Sequence, residues 1–418
     1  VDSPDYDALI IGGGPAGSTA ATLLARAGRR VVVLEKERFP RFHVGESLLP
    51  YNQVLFDELG LTPRLEAAGF VRKCGAQFHL GNGSKSMPFI FRQGRLTRHT
   101  DAFQVERARF DHLLLQHAAG SGAEVREGWT VTRFARQGSR VTVDARDAAG
   151  RTHTLAGSFL VDASGRGNLT GNQEGLRTLH RRLKKLALFG HFAGVKVDPG
   201  ERGGDTVIVR LARQWFWLIP LAADKVSVGL VMDQEEFAQA RAPAEELFWR
   251  FVQTSPPMRE RLARARLLTE LVVTTDFSYH NRRFVGPRLV RVGDAAGFLD
   301  PIFSSGVYLA MDSARLAAHA VDESLRAGDD GAARLRAYER RLRRAMKPYW
   351  RMIHHFYTTP FMEVFLEPRS RWRIVDAVNA VLAGELDGGW ALRWRLELFF
   401  WIVRLQRFWP LQPRISFQ

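Results

Sequence analysis

Three features of the 418-residue sequence predict an α/β fold with a second, mixed or antiparallel sheet and a helical C-terminal region. The stretch Tyr6-Asp-Ala-Leu-Ile-Ile-Gly-Gly-Gly-Pro-Ala-Gly17 runs from a buried-strand pattern through a glycine turn into an Ala/Leu-rich helix. Between residues 187 and 232 short apolar or alternating runs of strand length follow one another. Over the last 88 residues the pattern turns helical and rich in Trp and Arg.

The first unit is the most explicit. Asp7 to Ile11 reads as a parallel strand and Ser18 to Arg26 as a helix, joined by Gly12-x-Gly14-x-x-Gly17 with Pro15 and Ala16 between the last two glycines. Gly12 permits the tight turn, Gly14 lets backbone approach a pyrophosphate, and Gly17 lets the helix pack on the sheet. The helix start offers unpaired N–H groups and a positive dipole end to phosphate. A second strand, Arg30 to Leu34, ends in Glu35, an acceptor for a ribose hydroxyl 18 positions beyond Gly17, with Lys36 next to it. Together these predict a dinucleotide site.

A Gly- and Pro-punctuated loop over residues 38–50 leads to a helical pattern ending near Leu59. Asp101 to Val105 reads as a strand and Arg107 to Ala119 as a helix. Further strands are expected at Trp129 to Phe134, Arg140 to Asp144 and Ser158 to Val161, the last running into Asp162-Ala-Ser-Gly165-Arg166. Ala187 to Val197, Thr206 to Leu211, Trp215 to Leu221 and Val226 to Met232 predict an antiparallel meander. Helices follow near Ala244 to Thr254 and Met258 to Ala265. Arg288 to Asp294 is another strand ending in a glycine and an acid, and a long helix runs from Ser304 to about Leu325. The organisation expected is a first nucleotide-binding segment (1–180), a substrate-domain sheet (181–280), a return to the nucleotide domain (281–330) and a helical region (331–418).

Composition narrows the class. Hydrophobic residues make up 45% and charged residues 25%, ordinary for a globular chain. The single cysteine, Cys74, excludes an internal disulfide and suits a reducing cytosol, so the expected location is cytoplasmic. A first strand beginning by residue 6 leaves no room for a signal peptide, and no apolar run reaches the ~18 to 20 residues of a membrane span. There is no GxSxG, no HExxH and no cysteine cluster, so hydrolase and zinc readings have no support. The net charge of +16 points to an acidic partner, and +9 of it falls within residues 331–418.

Several stretches read together resemble the flavin-dependent halogenases, a branch of the para-hydroxybenzoate-hydroxylase-like FAD proteins. They are the glycine fingerprint, Phe42-His-Val-Gly-Glu-Ser47, Gln104-Val-Glu-Arg107 with Phe110-Asp111, Gly293-Asp294, Asp300-Pro-Ile-Phe-Ser-Ser-Gly306, and Trp215-Phe-Trp-Leu-Ile-Pro220. The FAD elements are widely shared; the tryptophan motif discriminates. In the family it keeps organic substrate from the flavin, so that chloride or bromide is oxidised instead. Gln214 replaces the usual preceding glycine. The period of two in Trp215, Trp217 and Ile219 fits one buried strand face equally well.

The resemblance implies roles for particular residues. Lys73 stands where the family carries its catalytic lysine, holding hypohalous acid through its ammonium or as a haloamine; a solvated lysine beside Arg72 is the other reading. Pro301 would lie beside the isoalloxazine. Ser304, Ser305, Gly306 and Val307 open a helix whose dipole would stabilise anionic reduced flavin or halide, with the N–H groups of Ser305 and Gly306 holding the halide. Phe303 occupies the position of a glutamate in tryptophan halogenases, which favours a phenol, a pyrrole or a carrier-bound substrate. Arg41, His43, Glu46, Ser47, Arg107, Asp162, Gly293 and Asp294 are candidates for flavin, ribityl or pyrophosphate contacts; for His43 and Glu46 a hydrogen-bonded loop is the alternative.

The expected activity is halogenation of an electron-rich aromatic with reduced FAD, O₂ and chloride or bromide, a partner flavin reductase supplying the reduced cofactor. A same-fold monooxygenase, oxidase or geranylgeranyl-reductase-like enzyme is the alternative. Six of the ten tryptophans, Trp350, Trp372, Trp390, Trp394, Trp401 and Trp409, lie in the basic C-terminal region. On a helix through Trp390 to Trp409, Arg393, Arg404 and Arg407 share one face and Trp394, Leu398, Trp401 and Leu405 another. Either the aromatic face packs on the core, or the helix docks an acidic acyl or peptidyl carrier protein, with peripheral membrane contact behind it. No recognition motif for nucleic acid accompanies the charge.

Overall fold

In a computed structural model, which describes residues 5–368, 371–386 and 388–417, the chain builds two large sheets. In the first sheet Tyr6–Ile11 lies between Val31–Glu35 and Thr152–Asp162, parallel to both, and Leu289–Arg291 adds on parallel to the latter. Val31–Glu35 is buried along its whole length, as a strand covered on both faces must be. The Pro15–Arg26 and Gly306–Ala327 helices pack on one another and on this sheet.

The second sheet contains the expected meander. Thr206–Arg210 pairs antiparallel with Trp215–Ala222, which pairs antiparallel with Lys225–Asp233. Lys225–Asp233 then meets Arg177–Ala193, and that strand meets Val272–Asn281. At the other side Thr206–Arg210 pairs parallel with Gly75–Leu80, whose hairpin partner is Ser86–Ile90. Neither that hairpin nor Val272–Asn281 is among the expected strands. Trp215, Trp217 and Ile219 belong to one core cluster and Phe216 and Leu218 to another, the alternation of a strand buried on both faces.

Two boundaries differ from expectation for local reasons. The long helix opens at Gly306 because Pro301–Phe303 forms a 3₁₀ turn closed by Ser304 at φ 54°, which offsets the helix start. The terminal helix spans Gly389–Gln406 and stops short of Trp409. Its orientation corrects the aromatic-face reading. Leu392, Leu396, Phe399, Phe400 and Val403 are buried, whereas Trp390 is 77% and Trp401 60% exposed. Leucine and phenylalanine at helical spacing take the core face, which turns Trp390, Trp394 and Trp401 outward beside exposed Arg393 and Arg404. Among the described residues no helix is long and apolar enough to cross a membrane.

Candidate functional site

The glycine turn is built as its spacing demands. Gly12 has φ 97°, and a Cβ there would stand 2.5 Å from the Ala163 carbonyl oxygen. A Cβ on Gly17 would stand 1.8 Å from the Gly12 carbonyl, so only glycine lets the helix seat. At Gly14 the nearest atom to such a Cβ is Arg41 Nη2 at 3.4 Å, so the backbone there faces open space. Glu35 closes the turn: Oε2 accepts from the Gly13 N–H at 2.6 Å and Oε1 from the Glu37 N–H at 2.8 Å.

A cavity of about 640 Å³ extends from this turn to the second sheet. Its walls include Gly12, Gly14, Pro15, Ala16, Glu35, Lys36, Arg41, His43, Glu46, Ser47 and Arg107. Asp294, Pro301, Ser304, Gly306 and Val307 join them, as do Trp215, Trp217 and Ile219. Arg107 is fixed by Asp111 through Nε and Nη2 at 2.7 and 2.9 Å and by the Val44 carbonyl at 2.8 Å. Burial and the neighbouring Arg107 push His43 down to about 3, so its imidazole is neutral beside the Val44 carbonyl. Burial also raises Asp294 to about 6 against the pull of Arg166 and Arg107. Glu46 bonds His191 of the second sheet at 2.7 Å while lining the cavity.

Open space at Gly14, a helix N-terminus, the Glu35 carboxylate and several arginines form a donor set that fits an FAD. Pyrophosphate would lie at Gly14 and the start of Pro15–Arg26, ribose at Glu35, and the ring system toward Pro301 and the tryptophan strand.

Other candidates stand off the wall. Asp162 accepts from the Ser164 N–H and from the Thr170 N–H and hydroxyl, so it braces its turn while Ala163, Ser164, Gly165 and Arg166 line the cavity. Gly293 donates its N–H to Ser313 Oγ and Gly17 serves helix packing. Ser305 is buried behind Ser304 and Gly306. Phe303 packs between Phe78 and Phe356, with ring centroids 6.5 and 5.8 Å away.

Lys73 is 1% exposed, which removes the solvated reading. It is not on the cavity wall, but its Nζ donates to Ser47 Oγ at 2.9 Å and to the Leu48 carbonyl at 3.0 Å. Ser47 Oγ is 2.8 Å from Thr206 Oγ1, and both hydroxyl residues line the cavity. Burial, opposed by Asp205, brings Lys73 down to about 7.

Sequence reading missed the residues that order the tryptophan wall. Trp215 Nε1 donates to the Tyr357 hydroxyl at 3.0 Å, and that hydroxyl donates to Asp300 Oδ2 at 2.7 Å. Tyr357 thus ties the tryptophan strand to the segment carrying Pro301, from 142 positions away. Gly229 faces Trp217 across the sheet, and a Cβ there would fall 2.2 Å from the indole. Only glycine at 229, at strand-interior spacing, was available as a signal.

Comparison with known proteins agrees with this geometry. Residues 5–351 match the family model described as an FAD binding domain. A tryptophan 2-halogenase of Chondromyces crocatus is 38% identical over 338 residues; the match covers 79% of this chain and 64% of that protein's length. The 1H-pyrrole-2-carbonyl-[peptidyl-carrier protein] chlorinase of Pseudomonas fluorescens is 32% identical over 412 residues, covering 92% of this chain and 90% of the relative. Among solved structures, the flavin-dependent brominase Bmp2 superposes with a TM-score of 0.84 at 30% identity, over 96% of this chain and 100% of that one. The chain belongs to the flavin-dependent halogenases.

Proposed function

We propose that this halogenase acts on an electron-rich aromatic held on an acidic carrier protein, with Lys73 delivering the halogen. The observation that carries the reading is the connection of Lys73 through Ser47 to a cavity walled by Trp215 and Trp217. Bound in that cavity, reduced FAD supplies with O₂ and chloride or bromide the oxidised halogen equivalent.

The residues divide the remaining work. Trp215 and Trp217 fill the space in which an organic substrate would meet the ring system, so only small species share it. The N-terminus of Gly306–Ala327, with the N–H groups of Ser305 and Gly306, is assigned to the halide. An ammonium has three donors, and Lys73 spends two on Ser47 and Leu48, leaving one for the oxygen of hypohalous acid. Buried Phe303 beside that segment favours phenol- or pyrrole-type substrates. A separate flavin reductase is assigned the supply of reduced FAD. The single cysteine suits a reducing cytosol.

The carrier is assigned to the exposed face of Gly389–Gln406, where Trp390 and Trp401 supply apolar anchors and Arg393, Arg404 and Arg407 supply charge. The test compares free and carrier-tethered aromatic as salt is raised, in the parent and after Arg393, Arg404 and Arg407 are changed to Ala. Tethered substrate is expected to turn over faster, and the advantage to shrink with salt and in the variant. Equal turnover of both forms, insensitive to salt and to the triple change, contradicts carrier docking. Binding to anionic vesicles with no preference for tethered substrate assigns the face to a membrane surface.

A further inference from the structure

Lys73 ends the Val71–Lys73 strand, sealed beneath the loop that carries Ser47. A buried ammonium costs several kcal/mol unless a counter-charge offsets its lost hydration. Its direct partners are a hydroxyl and a carbonyl, with the Phe91 ring 5.5 Å from Nζ. No carboxylate lies within ion-pair distance of it among the described residues.

The surrounding charges are mostly committed elsewhere. Arg72 is held by Glu66 and Asp101 at the surface, Arg92 by Glu201, and Asp198 by Arg261. Arg202 donates to Gln77 Oε1 and also acts on Asp205, so the Asp205 carboxylate faces two cations, Lys73 and Arg202. Asp205 remains: it is 3% exposed, at the junction between the Gly200–Gly204 turn and the Thr206–Arg210 strand. Its carboxylate lies against Gly75, where a Cβ would come 3.2 Å from both oxygens. Oδ2 accepts from Gln77 Nε2 at 3.2 Å, while buried Oδ1 has no hydrogen bond of good geometry among the described residues.

The residue after Asp205 completes a circuit. Thr206 Oγ1 accepts from Gln104 Nε2 at 2.9 Å and meets Ser47 Oγ at 2.8 Å. Ser47 Oγ accepts from Lys73, and either hydroxyl can donate to the other, so one hydroxyl proton of the pair is left for the cavity that both residues line. One short segment, Asp205-Thr206, therefore sets a buried carboxylate against Gly75, two residues along the chain from Lys73, and a hydroxyl on the wall of the cavity.

We propose that Asp205 is a positioning residue for Lys73, a buried carboxylate that keeps the ammonium charged and oriented from outside the cavity, with Ser47 and Thr206 linking that ammonium to the cavity. In the low-dielectric interior a carboxylate beyond contact distance still acts on a charge. Asp205 opposes the fall that burial imposes on Lys73, and Lys73 opposes the rise that burial imposes on Asp205. The link to halogen delivery rests on the proposed function; the electrostatic pairing does not.

The chain has only eight lysines, so Nζ resonances of ¹⁵N-lysine-labelled protein can be followed individually, with Lys73 assigned by its loss in Lys73→Arg. In Asp205→Asn the Lys73 midpoint is expected to drop by about one pH unit, and Asp205→Glu to restore part of the shift. In the parent protein the Asp205 carboxyl ¹³C resonance is expected to show an inflection at the Lys73 midpoint, a readout that needs no variant to fold. FAD affinity is expected to stay the same, and the pH profile for halogenated product to move with the Lys73 midpoint. A Lys73 midpoint identical in parent and Asp205→Asn, or an Asp205 resonance indifferent to it, overturns the pairing. If the parent makes no halogenated product, the functional reading fails while the titration still decides the role of Asp205.

Discussion

Lys73 Nζ and Ser47 Oγ lie 2.9 Å apart, with the lysine behind the wall of the flavin cavity and the serine in it. With FAD placed as proposed, the lysine would stand outside the place where flavin is oxidised and one hydroxyl away from it. Lys73→Ala is expected to abolish halogenated product while leaving reoxidation of reduced FAD by O₂ near the parental rate. Product mass and the flavin absorbance trace check the two steps separately, and retained halogenation removes Lys73 from the chemistry.

Acidity of the same residue sets a pH dependence. With Lys73 at about 7, the ammonium is lost as pH rises through neutrality, so product yield per flavin oxidised is expected to fall above about 7. Stability moves the other way. Between about 7 and the ordinary 10.5 the unfolded chain binds a proton that the folded chain lacks, so this group's contribution to stability grows with pH across that window. Lys73→Met is expected to flatten that slope in denaturant titrations at a series of pH values.

Glu35→Lys places a cation where Gly13, Glu37 and a ribose need an acceptor. FAD affinity is expected to fall by at least tenfold in a fluorescence titration, about 1.4 kcal/mol. Parental affinity would remove Glu35 from the cofactor site.

Tyr357→Phe removes the acceptor for the Trp215 N–H and the donor to Asp300. Leaving those buried groups unpaired is expected to cost about 1–3 kcal/mol in equilibrium unfolding. Because the pair ties the tryptophan wall to the Pro301 segment, the half-saturating halide concentration is expected to rise more than maximal turnover falls.

Gly229→Ala is expected to be destabilising by about 1–3 kcal/mol, since the added methyl enters space held by the Trp217 indole. Displacement of Trp217 should show as a shifted tryptophan emission and weakened FAD binding. Unchanged emission would mean that the sheet, and not the indole, yields.

What could be read from the sequence was whatever local physics fixes. Strand, glycine turn and helix at Tyr6 to Arg26 are specified by spacing alone, and so is the meander through Trp215, because each element carries its own period. The apolar neighbours Phe70, Val71 and Ala76 are the signal in the sequence for burial of Lys73. Tyr357, Asp205 and Gly229 could not be found this way, since their roles exist only once strands and helices far apart in sequence are brought together. The terminal helix itself was legible, but its buried face was not: the sequence offers two apolar faces, and packing decided for Leu392, Leu396 and Phe399 over the tryptophans.

The most direct test is the mass of the product formed from a carrier-tethered pyrrole or phenol with chemically reduced FAD and O₂, run with chloride, with bromide and without halide. The expected result is a product whose isotope pattern follows the halide supplied and which disappears without halide and in Lys73→Ala. An oxygenated product formed equally well in the absence of halide would contradict halogenation and assign the chain to a monooxygenase activity on the same fold.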